Sequence, residues 1–153
     1  MNEKILTLLA VLVVVVSLAS VSAAELTKEN DFDGLFKMKI ADNETFTAIE
    51  NNSASSLLQS GVAYKNDNDT IFVFYYENEL NDAIFYASQG NVTDFDSEGD
   101  LRIFNATEQM THACGGNAKV FVAKNPNMEK RTVIVGGTNE TLLKEYAETL
   151  TFD

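Results

Sequence analysis

"VAYKNDNDTIFVFYYEN", Val62 to Asn78, holds two apolar runs on either side of the tetrad Asn66-Asp67-Asn68-Asp69. Asn and Asp side chains bond their own backbone and tolerate left-handed conformations, so four in a row between apolar runs predict a β-hairpin. The second run, Ile71 to Tyr76, is apolar without alternation. A strand with one wet face alternates, so this run predicts a central strand covered on both faces. A hairpin also fixes antiparallel pairing.

The flanking sequence extends the same sheet. "LFKMKI" sets Leu35, Lys37 and Lys39 against Phe36, Met38 and Ile40, the pattern of a half-buried strand. "NNSASSLLQSG" reads as a short helix opened by Asn52 or Ser53 and closed by Gly61. Downstream, "ELNDAIFYASQG" fits a helix with Leu80, Ile84 and Ala87 on one stripe and Gly90 at its C-cap. "DLRIFNA" is a further strand, and "AKVFVAKNPNMEKRTVIVGG" is a second hairpin around Pro126, the single proline. The chain closes on a helix whose apolar face is Leu142, Leu143, Tyr146, Ala147 and Leu150, with Glu140 at the positive end of its dipole. The expected fold class is therefore α+β. One antiparallel sheet of about five to six strands carries two main helices, the C-terminal one included.

The start of the chain reads differently. Lys4 precedes an apolar run that ends in Val21-Ser22-Ala23-Ala24, the form of an export signal cut after Ala23 or Ala24. The alternative is an uncleaved membrane anchor over residues 5–21, just long enough for a marginal span. Residues 1–24 are accordingly assigned to a signal peptide, 25–33 to a flexible lead-in and 34–153 to a single α+β domain. The order of elements, with the closing "TVIVGGTNETLLKEYAETLTF", resembles the Mog1/PsbP-like architecture, in which a late strand feeds a C-terminal helix. The whole chain also resembles small secreted proteins of unassigned function from methanogenic archaea. The resemblance implies a secreted or cell-surface protein and brings no catalytic residues with it.

Composition narrows the function classes. The net charge of −12 disfavours nucleic acid, which needs an excess of Lys and Arg, and disfavours docking on anionic lipid. A single cysteine excludes an internal disulfide, so stability rests on a packed core.

Candidate chemistry is sparse. His112 and Cys114 share a face if they lie on a strand and point apart on a helix. No nearby cation is at hand to lower the thiol pKa, and two ligands do not make a metal site. A structural cysteine is expected, and no catalytic residues are assigned. Gly136 and Gly137 stand between a strand and a helix but lack the length and the Lys of a phosphate loop, so they are expected to permit a positive-φ turn. In "DFDSEGDLRIFN", Asp94, Asp96, Glu98 and Asp100 resemble the alternating carboxylates of an EF-hand loop, with Gly99 at its sixth position. Asn105 stands where the bidentate Glu belongs. Weak calcium binding is the one cofactor expectation, against a solvated acidic turn. A carboxylate-based hydrolase is the enzymatic alternative, although no acid pair stands out in the sequence.

One pattern exceeds chance. N-x-S/T sequons occur at Asn43, Asn51, Asn68, Asn91, Asn105 and Asn139. Random placement of the same residues would give roughly two, and six are present. With an export signal, they point to a glycosylated envelope or extracellular module that binds a surface partner. The asparagines are then expected on the solvent side, with Asn68 and Asn91 in connections, Asn105 ending a strand and Asn139 at the last helix's N-cap. Asn105 is the most exposed to failure, since Ile103 and Phe104 beside it read as core.

Overall fold

The computed structural model describes residues 25–50, 54–58, 61–92, 94–126 and 130–153. The expected leader, Asn51, and the proposed helix openers Asn52 and Ser53 lie outside the described residues. The fold is α+β, as expected. Strands β1 (Leu26–Phe32) and β2 (Phe36–Ala41) form a two-stranded antiparallel sheet. The main sheet contains β3 (Phe46–Ala48), β4 (Gly61–Asn66), β5 (Phe72–Tyr76), β6 (Asp96–Glu98), β7 (Leu101–Asn105), β8 (Val120–Lys124) and β9 (Thr132–Gly137). It runs in the order β3-β4-β5-β9-β8-β7-β6, antiparallel throughout. Helices α1 (Leu80–Ser88), α2 (Glu108–Ala113) and α3 (Glu140–Glu148) pack on it.

Period-two alternation along the strands builds two cores. Phe72, Phe74 and Tyr76 of β5 face one way with Ile134, Phe121, Ala123 and Phe104, under α1 and α2. Val73 and Tyr75 face the other way with Val133, Val135, Val122 and Ile103, under α3 and the β1–β2 hairpin. β5 is the third of the seven strands, flanked by β4 and β9, and all five of its residues are buried. The unbroken apolar run is explained by helices on one face and a helix plus hairpin on the other.

Besides the short β3, β6 and α2, which the sequence reading lacks, four details differ from it. The stretch expected as a flexible lead-in, 25–33, forms β1 and turns through Asp33 and Gly34 (φ 55° and 74°) into β2. Its anchor is Phe32, stacked on Phe36 with ring centroids 4.5 Å apart. Most of its other side chains face solvent, so it carries little apolar signal. The "NNSASSLLQSG" helix is, where described, a single 3-10 turn, Ser55–Leu57, and Gly61 opens β4. In α1 the left-handed cap residue is Gln89, one position before Gly90. Gly136 and Gly137 lie inside β9 with no positive φ. A Cβ at Gly136 would stand 2.5 Å from the Phe121 ring, so glycine is required there for close packing.

Candidate functional site

The register places one row of residues at one end of the main sheet: Phe46, Asn66, Gly137, Val120 and Asn105. The connections at that end carry the chain's unusual polar features. Asn66 closes β4 and is 2% exposed. Its Oδ1 accepts from the backbone N–H of Thr70 (2.9 Å) and of Ile71 (3.0 Å), which holds the tetrad in the turn its composition predicts. Asp69 takes the left-handed conformation, φ 52°. The Asn66 Nδ2 donates to Glu44 Oε1 at 3.2 Å, and the Tyr146 hydroxyl donates to Glu44 Oε2. Burial first, then the Glu44 carboxylate, raises the Tyr146 pKa above its ordinary value. Glu44 thus ties the β2–β3 connection to the β4–β5 turn and to α3.

These groups line a cavity of about 310 Å³ together with Ala41, Asn43, Asp67, Asn68 and Leu142. Glu44 and Asp67 are the only acids lining it, among the described residues. Both Glu44 oxygens already accept bonds, and Asp67 accepts from the Thr45 hydroxyl. The arrangement reads as a structural lock. Replacing Asn66 with Ala should cost about 2 kcal/mol, because two turn N–H groups and a Glu44 oxygen lose their partner. Urea denaturation of the variant checks this, and an unchanged midpoint would show that the network is dispensable.

The five sequon asparagines among the described residues collect around the same end. Asn43, Asn68, Asn91, Asn105 and Asn139 are all exposed. Asn68 lies in the β4–β5 turn, Asn91 in the α1–β6 connection, and Asn105 is the last residue of β7. Asn139 is the N-cap of α3, its Oδ1 accepting from the Leu142 N–H at 3.2 Å. That oxygen remains an acceptor when the amide nitrogen carries a sugar. The same cap, with Glu140 in the first turn, occupies the helix end that a phosphate loop would have offered to an anion.

His112 and Cys114 do not form a couple. His112 sits exposed in the last turn of α2, and Cys114 is the C-cap residue, 2% exposed in the core. Both border a shallow cavity of about 340 Å³, yet burial pushes the thiol up to about 12, so it is not a thiolate at neutral pH. The expected consequence of Cys114→Ser is a stability loss of about 1 kcal/mol from placing a hydroxyl in an apolar site. Thermal melting measures it, and an unfolded variant would contradict it.

The four carboxylates of the EF-hand-like stretch, Asp94, Asp96, Glu98 and Asp100, lie on and beside a β-hairpin. Asp96–Glu98 pairs with Leu101–Ile103, and Gly99-Asp100 is the two-residue turn between them. A hairpin spreads alternate carboxylates along a strand, where an EF-hand loop would wrap them about one point. Glu98 pairs with Lys144 at 2.9 Å and Asp100 with Lys124 at 3.6 Å, while Asp94 and Asp96 border a small cavity with Asn105 and Glu140. No group of three or more His, Cys, Asp or Glu converges as a metal site among the described residues.

Sequence reasoning missed Glu44 and Tyr146. Glu44 is one of many acids, and its role is set by contacts across 22 and 102 positions of chain. No family model, curated protein or solved structure matches this chain. Among the described residues, no helix is long and apolar enough to cross a membrane.

Proposed function

We propose that this chain is an exported, N-glycosylated envelope or extracellular module that works by binding a surface partner rather than by catalysis. The observation that carries the proposal is the sequon set: an excess over chance in the sequence, with each of the five sequon asparagines among the described residues exposed in a connection, at a strand end or at a helix cap. A buried asparagine could not take a glycan, because a packed core has no room for one. The buried, protonated Cys114 and the engaged Glu44 oxygens support a non-catalytic role. The acidic surface supports solubility outside the cell.

One observation favours the competing hydrolase reading: Glu44 and Asp67 border the same cavity. Hydrolysis of a glycoside panel by the native protein, lost in both Glu44→Gln and Asp67→Asn, would establish that reading. For the proposal itself, intact mass of natively produced protein should start at Ala24 or Glu25 and exceed the polypeptide mass. Enzymatic deglycosylation should remove the excess. A chain beginning at Met1 in membrane fractions, at its bare polypeptide mass, would overturn it.

A further inference from the structure

We propose that the glycans form a one-sided screen over the sequon end of the sheet, leaving the opposite end as the face open to macromolecules. This rests on the glycosylation reading and adds a direction to it. The antiparallel register makes the direction legible. Phe46 pairs with Asn66, Lys65 with Phe72, Phe72 with Gly136, Val120 with Gly137, and Asn105 with Val120, so β3 begins, β4 ends, β9 ends, β8 begins and β7 ends at one end of the sheet. Asn43 precedes β3, Asn68 follows β4, Asn139 follows β9, and Asn105 ends β7. Asn91 joins them by sharing a cavity with Thr107, which follows Asn105 by two residues.

Hydrogen bonds tie these connections into one surface. Asn117 Nδ2 donates to the Asp69 carbonyl at 2.8 Å, the Lys119 N–H to the Gly137 carbonyl at 2.8 Å, and the Ala106 N–H to the Lys119 carbonyl at 2.8 Å. The opposite end holds Glu77 to Glu79, the Gly99-Asp100 turn, Asn125, Lys130 and Arg131. Asparagines occur there too, but Asn78 is followed by Glu79-Leu80 and Asn125 by Pro126-Asn127, so neither begins a sequon. Among the described residues, the asymmetry therefore lies in the sequons and not in asparagine itself. Glycans are bulky and hydrated, and five of them crowding one end would exclude protein-sized partners from it. The cavity between Glu44 and Tyr146, with Asn43 and Asn68 on its wall, would lie beneath that screen.

The test uses the full chain in a Cys114→Ser background with one added cysteine, Lys119→Cys at the sequon end or Lys130→Cys at the other. Both lysines are exposed. Each variant is treated with a polymer-linked maleimide before and after enzymatic deglycosylation, with a small maleimide as control. Position 119 should react at least about five-fold faster with the polymer reagent once glycans are removed, while position 130 and both small-reagent rates stay unchanged. Equal acceleration at both positions, or none at either, in protein whose glycopeptides are present would overturn the screen and leave glycosylation standing. Absence of glycan from all five asparagines would overturn both.

Discussion

Gly136→Ala should destabilise the fold by about 3 kcal/mol, enough to lower the melting temperature by on the order of 10 °C. The added methyl would meet three Phe121 ring atoms at 2.5, 2.9 and 2.9 Å. The ring has little freedom to yield, since it stacks on Phe104 at 5.8 Å and leans on Phe74 at 6.0 Å, in a fully buried layer. Overpacking a dense core displaces neighbours off their rotamers. The backbone conformation of Gly136 is ordinary, so the cost comes from the contact alone. A double-mutant cycle with Phe121→Leu separates the two sources: trimming the ring should recover part of the loss, giving costs that do not add. Additive costs would show that the contact is not the cause.

Alkaline pH should unfold the protein earlier than its acidic composition suggests. Tyr64, Tyr76 and Tyr146 are all held above the usual tyrosine pKa. Burial is the first cause in each, assisted by Asp33 beside Tyr64 and Glu44 beside Tyr146. Cys114 is raised by burial to about 12. In the unfolded chain the thiol loses its proton near pH 9 and the phenols near pH 10, whereas the folded chain retains them. Above those values the unfolded state binds fewer protons than the folded state, so stability falls as pH rises. Each such group contributes up to about 1.4 kcal/mol per pH unit above its unfolded pKa, so two units for the thiol and one for each phenol bound the combined loss at roughly 7 kcal/mol near pH 11. Urea midpoints measured from pH 7 to pH 11 should decline progressively through this window. A flat profile would mean that the phenols and thiol titrate alike in both states.

Legibility of the fold followed the strength of local periodicity. The Asn66–Asp69 turn, β5 and α3 were readable because turn chemistry or an apolar face lies within a dozen residues. β1 was missed because it is an edge strand whose only deeply buried side chain is Phe32. β3 and β6 are three residues each, too short for a period to register. α2 is six residues long and is marked mainly by Thr107, whose hydroxyl caps the Met110 N–H at 3.2 Å. Glycines misled for a physical reason: a pair after a strand suggests a turn, but Gly136 answers to the size of Phe121 across the ladder. At the candidate site, the sequons could be read directly as short motifs. Their gathering at one end depends on strand register, and the Glu44–Tyr146–Asn66 lock depends on tertiary contact, so neither has a local signature.

The central claim is that the exposed sequons are modified. Glycopeptide mass spectrometry on protein purified from its native source tests it most directly, site by site. Glycan should be found on most of Asn43, Asn68, Asn91, Asn105 and Asn139. All five recovered as unmodified asparagine, from protein that has left the cell, would contradict the account.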